Sequence, residues 1–345
     1  MSQREMQTKM FSEAGEASAS ARIYLSRATS ALQRVVEKIH LFDPALVITC
    51  ARGSSDHAAT YAKYMIEKHL GLPVASHAPS MSSLFKRPLK MDRALFICIS
   101  QSGGSPDLVE SAKLARQQGA FTVALVNETA SPLAEACEYV IPLYAGPELS
   151  VAATKSYILS LVAIAHLTAC LSRDQDLLAD IETLPQKLSD AWTLEWGAAL
   201  PILTPARNFF VVGRGLGLGI AQEAALKFKE TSGLHAESYS AAEVRHGPMA
   251  LVEKNMPVLL FVPQDASTKS FDVIAEDFIQ RGAKVISVGK SYRGAVVLPT
   301  IDGLAPELSV ICMIQTFYKL VNRLSLERGL NPDSPPSLRK VTETV

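Results

Sequence analysis

The chain is predicted to fold as two tandem doubly wound α/β domains, each a parallel sheet covered by helices on both faces in a three-layer, flavodoxin-like arrangement. Three observations predict it. Apolar runs of strand length lack polar alternation, the mark of strands buried on both faces. Helical stretches, such as Pro106 to Gln118 and Ser270 to Arg281, separate these runs. The whole pattern also occurs twice, displaced by about 163 positions.

The elements run in order. Residues 1–40 read as leading helices, including the amphipathic run Ile23 to Ile39. Domain 1 covers 41–171. Its first strand, Leu46 to Cys50, runs into Arg52-Gly53-Ser54-Ser55 and then a helix. A second strand spans Ala94 to Ile99, a third Gly119 to Ala124, and a fourth ends at Ile141-Pro142. Residues 172–204, with Pro185 and Pro201, read as a helical connector. Domain 2 covers 205–329 and repeats the series. Phe209 to Val212 runs into Gly213-Arg214-Gly215, followed by Val258 to Val262, Gly282 to Ser287, and a short strand ending Leu298-Pro299. The tail, 330–345, carries Pro332, Pro335 and Pro336 and reads as extended.

Composition narrows the function classes. A chain of 345 residues suits two domains of ordinary size. Basic and acidic residues both number 34, so the basic excess expected of a nucleic-acid binder is absent. The polar start Met1-Ser2-Gln3-Arg4-Glu5 lacks a signal-peptide core. The most apolar helical stretch, Ile158 to Leu171, reads as too short for a bilayer and carries His166. The expectation is a cytoplasmic protein with no membrane or nucleic-acid partner. Cys50, Cys98, Cys137, Cys170 and Cys312 form no C-x-x-C pair and read as buried reduced thiols. The histidines show no paired ligand spacing, so neither a metal nor any other cofactor is expected.

The strongest local signal is Ser100-Gln101-Ser102-Gly103-Gly104-Ser105-Pro106-Asp107, between a buried strand and a helix. Ser105 suits the N-cap and Pro106 the first helical position. Unpaired N–H groups there, with three serine hydroxyls and the Gln101 amide, make a donor-rich cup for an anion. Ligands of open α/β sheets bind at the carboxyl ends of strands, so Ser54 and Ser55 can join the cup. An ordinary capped turn would use the same residue types, but two serine-rich loops at adjacent strand ends favour phosphate. The run Gly213 to Gly219 lacks G-x-G-x-x-G spacing, since position 218 is Leu, and reads as a tight turn rather than a nucleotide site.

Glu223, Lys227 and Glu230 share one face of a helix by three- and four-residue spacing. A solvated face with ion pairs is the common explanation of such a pattern. Two stretches just beyond the helix add weight: His235-Ala236-Glu237-Ser238-Tyr239, then Glu243-Val244-Arg245-His246-Gly247-Pro248, whose His246 suits acid–base work.

Together with Val151-Ala152-Ala153-Thr154-Lys155 and Pro335-Pro336-Ser337-Leu338-Arg339-Lys340, these motifs resemble the sugar-isomerase (SIS) domain family, in particular the isomerase half of glucosamine-6-phosphate synthase. The resemblance covers nearly the whole chain and implies two SIS domains in tandem. It implies that Ser54, Ser55, Ser100, Gln101, Ser102 and Ser105 hold a sugar phosphate, with Val151 and Ala152 in the substrate pocket. Glu230 is implied as the base moving a proton between C1 and C2, and Lys227 as its assistant at the sugar oxygens. His246 is implied to open the sugar ring from a neighbouring subunit, making a homodimer. Lys340, on a tail that reaches the active site, is implied to meet the sugar carbonyl as an imine.

There are departures. Ser54 and Ser105 stand where the synthase usually has threonine, Ala153 replaces a serine, and Gly104 replaces a glutamate. The chain also starts at Met1-Ser2 without the synthase's glutaminase nucleophile. The expected activity is therefore glucosamine-6-phosphate deaminase, releasing ammonia and fructose 6-phosphate. A fructosamine-phosphate deglycase and a plain aldose–ketose phosphosugar isomerase are the alternatives. A non-catalytic sugar-phosphate sensor is a third, disfavoured by the retained Glu230, Lys227, His246 and Lys340.

Overall fold

Uninterrupted apolar strands become the centres of two parallel sheets. The computed structural model describes residues 7–338 and Lys340; residues 1–6, 339 and 341–345, where the leading helices and tail were expected to begin and end, lie outside the described residues. The chain divides into two units. One comprises residues 7–18, 149–154 and 184–338, the other residues 19–148, 155–183 and Lys340.

Helices α1 (Lys9–Gly15) and α2 (Ala17–Phe42) lead into the first sheet. Its elements are β1 (Leu46–Cys50), α3 (Ser54–Leu70), β2 (Val74–Ser76), α4 (Pro79–Ser83), β3 (Ala94–Ser100), α5 (Pro106–Gln117), β4 (Phe121–Val126), α6 (Pro132–Ala136) and β5 (Tyr139–Pro142). The strands are all parallel in the order β2-β1-β3-β4-β5. Every residue of β3 and β4 is buried, as expected for strands covered on both faces. Against them packs a core of Cys50, Phe96, Cys98, Leu108, Ala112 and Leu133. The neighbouring Cys137 and Cys50 thiols, with burial, push the Cys98 thiol well up, in keeping with inert core cysteines.

The next helix, α7 (Lys155–Ser172), corrects the expectation about the apolar stretch. It runs for 18 residues, long and apolar enough by length and composition to cross a membrane. Length does not exclude a span; burial explains the apolarity instead, because 89% of the helix is buried within the chain. The expected connector consists of α8 (Gln175–Thr193) and α9 (Leu200–Leu203).

The second sheet is built from β6 (Asn208–Gly213), α10 (Leu216–Ser232), β7 (His235–Ser240), β8 (Pro257–Phe261), α11 (Thr268–Gln280), β9 (Lys284–Val288) and β10 (Val296–Leu298). Its order is β10-β9-β8-β6-β7, again parallel, which is the order of the first sheet with β6 in the place of β1. The long α12 (Pro306–Glu327) comes next, almost wholly buried. Phe228 of α10 meets Phe209 and Phe317 edge-on at 4.6 and 5.0 Å. Such contacts add roughly 0.5–1.5 kcal/mol each beyond the area they bury.

The repeat extends to single glycines. Gly53, before α3, has φ 54° and ψ −132°; Gly215, before α10, has φ 57° and ψ −128°. Both come after the first strand of their sheet and open a helix in a conformation that side chains resist. The Gly213 turn is tight: a Cβ there would lie 2.2 Å from the Gly217 carbonyl oxygen.

Candidate active site

The serine loops lie at the carboxyl ends of β1 and β3, adjacent strands between which the strand order reverses. This is the crevice where doubly wound sheets bind ligands. The Ser100 Oγ accepts the Gly103 N–H at 3.0 Å, and the Ser102 Oγ accepts the Gly104 N–H at 3.3 Å. A hydroxyl whose oxygen accepts keeps its hydrogen to donate, so both serines retain a donor. Gly103, at φ 62°, is required: a Cβ would lie 2.1 Å from the Ser131 Oγ. The next loop braces this one, with the Asn127 and Glu128 amides donating to the Gln101 carbonyl at 3.2 Å each. Ser105 occupies the N-cap of α5 and Pro106 its first position, but the Ser105 side chain makes no capping bond.

Ser54 and Ser55 open α3 and are half-buried. Their loop is tied to the β3 loop by Arg52, which sequence reasoning did not single out. Its Nε and Nη2 donate to Asp107 Oδ2 at 3.0 and 2.8 Å. Asp107 is 1% exposed and Arg52 50%, so a cation rests at the mouth of the cup with half its surface in solvent. The signal available was the lone charge in Arg52-Gly53-Ser54-Ser55 facing an acid at the start of a helix.

In the same unit the Lys340 Nζ lies 3.4 Å from Glu148 Oε2. Glu148 is fully buried, and Ser156 donates its amide and hydroxyl to it at 3.1 and 2.6 Å. Lys340 is thus no freely solvated tail residue.

The acidic and basic residues of α10 belong to the other unit, and they are not a solvated face. Lys227 is 1% exposed and Glu223 0%. The Lys227 Nζ stands 2.6 Å from Glu230 Oε2 and 3.3 Å from Glu223 Oε1. Tyr318, on α12, donates its hydroxyl to Glu223 Oε1 at 3.0 Å. Burial works to lower the Lys227 pKa, but the two carboxylates outweigh it and raise the value. Lys227 is therefore a fixed cation, and Glu230, 21% exposed, is the member of the group open to a ligand.

His246 ends a short 3-10 turn, Glu243–His246, and is exposed. Among the described residues it takes no hydrogen bond or ion pair. His235 to Ser240, read from sequence as a polar stretch, is the edge strand β7, paired with β6. Val151 is half-buried and Ala152 buried; the Val151 amide donates to the Asp333 carbonyl at 3.2 Å. Glu230, Lys227, His246, Val151 and Ala152 thus fall in one unit, and the serine cup and Lys340 in the other. Among the described residues no group of three or more His, Cys, Asp or Glu side chains is placed to hold a metal ion.

Two tandem parallel sheets of identical order, one carrying a hydroxyl-rich cup at its switch point, define a doubly wound α/β protein with a candidate anion site. The family model "SIS domain" matches residues 40–169 and 202–298, and the chain belongs to that family. It is similar to the crystal structure of a candidate phosphosugar isomerase from Silicibacter pomeroyi DSS-3, with TM-score 0.90 and 42% identity, covering 94% of this chain and 100% of that one. It is similar also to the C-terminal domain of glucosamine-fructose-6-phosphate aminotransferase from Francisella tularensis (TM-score 0.86, 25% identity, 97% and 100% covered). Glutamine–fructose-6-phosphate aminotransferase [isomerizing] from Aquifex aeolicus is 34% identical over 322 residues, 89% of this chain and 53% of the relative. The chain spans about half the length of the curated relatives it matches.

Proposed function

We propose that this protein is a phosphosugar isomerase that deaminates glucosamine 6-phosphate to fructose 6-phosphate and ammonia. The observation that carries the reading is the Glu230 carboxylate, partly exposed and held at 2.6 Å by a buried lysine that stays charged. A carboxylate pinned in this way is suited to carry a proton between adjacent carbons. The relatives named for fructose 6-phosphate and amino transfer support the substrate class.

The serines at 54, 55, 100, 102 and 105, with Gln101, take the phosphate. His246 moves a proton from the anomeric hydroxyl to the ring oxygen, opening the sugar to an aldehyde. Glu230 removes the C2 proton, giving an enol at C1 and an amine at C2, and Lys227 offsets negative charge developing at the C1 oxygen. Returning the proton to C1 makes a C2 imine. Water adds to the imine, ammonia leaves, and fructose 6-phosphate remains. In this reading the Lys340 amine, once deprotonated, adds to the C2 carbonyl and expels water to give a second imine, which water then hydrolyses to free the ketose and the lysine. Its proton would pass to Glu148, its neighbour at 3.4 Å.

Purified protein is incubated with glucosamine 6-phosphate, and ammonia and fructose 6-phosphate are measured together. Equal release of both, lost in Glu230→Gln, is the expected result. Conversion of a bare hexose phosphate or a fructosamine phosphate without ammonia from glucosamine 6-phosphate would move the activity to an aldose–ketose isomerase or a deglycase.

A further inference from the structure

Three segments far apart in sequence are joined by two carboxylates. Asp333 Oδ2 accepts the Lys9 amide and Oδ1 the Met10 amide, each at 2.8 Å. The Asp333 backbone carbonyl accepts the Val151 amide. From the same short helix α1, Glu13 accepts the Leu149 amide and, at 3.1 Å, the Ser150 amide. Glu13 is only 6% exposed. Hydrogen bonds to an ionised acceptor are roughly twice as strong as neutral ones, so these are firm anchors.

Helix α1 is itself held. Thr8 donates its hydroxyl to Asn322 Oδ1 at 2.7 Å, and Gln315 donates to the Ala14 carbonyl at 2.9 Å, both partners lying on α12. The loop 149–154 contains no regular element: Leu149 is 65% exposed, while Ser150, Ala152 and Thr154 are buried.

We propose that Glu13 and Asp333 are positioning residues for the substrate. They fix the loop carrying Val151 and Ala152, and Asp333 fixes at the same time the start of the tail that leads to Lys340. This rests on the function proposed above and on the family resemblance that puts Val151 and Ala152 in the substrate pocket. Helix α1 then works as a fixed post to which pocket loop and tail are both fastened. A displacement of about 1 Å in a positioning element can cost roughly a hundredfold in rate.

The test uses the full chain with Asp333→Asn and Glu13→Gln, each close in volume but lacking the negative charge and one of the two acceptor oxygens. Hydrogen–deuterium exchange is read alongside steady-state kinetics on glucosamine 6-phosphate. Expected are exchange about tenfold faster or more at Leu149, Ser150 and Val151 with the sheets unchanged, kcat lowered about tenfold or more, and partial recovery in Asp333→Glu. Unchanged exchange at the loop in both variants would overturn the proposal, as would faster exchange with kcat/KM within about twofold of the parent. If Asp333→Asn fails to fold, Glu13→Gln decides alone. If the parent chain does not turn over glucosamine 6-phosphate, the functional reading falls by itself. The loop assignment is then judged on exchange and on whichever hexose phosphate the parent converts.

Discussion

Glu223 and Lys227 lie one helical turn apart on α10, fully buried, with 3.3 Å between oxygen and nitrogen. Tyr318 fixes the carboxylate from another helix, and Glu230 takes the outer side of the ammonium. The lysine is therefore shared between a structural partner and a candidate catalytic one.

Removing one member of a buried pair leaves an uncompensated charge, which costs about 3–5 kcal/mol. Lys227→Met should be destabilised by that order in urea unfolding, and adding Glu223→Gln should restore part of it. A loss below about 1 kcal/mol in the single variant would mean that water reaches Glu223. Because the Lys227 pKa is raised, its contribution is complete below the ordinary value of 10.5 and fades only as pH climbs through the higher folded value.

Glu230→Gln keeps the shape of the outer partner and removes its basicity. Turnover should fall by about 10²–10⁴-fold with little change in melting temperature. Deuterium uptake from solvent into the product carbon should vanish with it. Retention of that uptake would assign the proton transfer to another group.

Gly103→Ala tests the cup. Its Cβ would strike the Ser131 hydroxyl at 2.1 Å and the residue would keep φ 62°, at a cost on the order of 1–3 kcal/mol. The variant should bind inorganic phosphate and sugar phosphates more weakly, read as a rise in KM. An unchanged KM would place the phosphate elsewhere.

His166, on α7, has its pKa lowered to about 4 by burial, and its Nδ1 has no partner among the described residues. The folded chain keeps it neutral while the unfolded chain protonates near pH 6.5. Its contribution is present in full above that value and is lost as pH falls through about 4, up to roughly 3 kcal/mol. Unfolding curves taken across that window should show the slope, and His166→Gln should flatten it. An equal slope in the variant would locate the acid lability in other groups.

If the exposed His246 completes the site of a neighbouring subunit, two inactive variants should rescue each other. Mixing Glu230→Gln with His246→Ala under dissociating conditions should recover about a quarter of the parental activity, since half the random dimers carry one intact site of two. No recovery in a confirmed mixed dimer would place both residues in one chain.

Much of this architecture was legible in the residues. The β1, β3, β6 and β8 runs are apolar without alternation, and Ser105-Pro106 marked the start of α5 to the residue. Elements whose cause lies far away in sequence were not legible. Strand β7 tolerates polar residues because it lies at a sheet edge, where Ala236 alone is buried while β6 pairs its backbone. Helix α12 is buried along nearly its whole length by partners far off in sequence, such as Ala14 against Gln315. Charges on α10 suggested a wet surface, and only Tyr318, 95 positions on, shows why they are inside. The carboxylates of Glu13 and Asp333 gave no local signal at all, since their partners are amides 137 and 324 positions away.

The two sheets share an order but not the fate of their switch points. In the second, a methyl group on Gly217 would lie 3.3 Å from both the Phe261 carbonyl and Pro263, so backbone and a proline ring stand close against the helix that follows β6. The two copies are thus constrained differently, by hydroxyl groups around Ser54 and Ser102 in the first and by bare volume at Gly217 in the second. A library randomised at matching positions should therefore tolerate polar exchange in the first copy far better than any enlargement in the second.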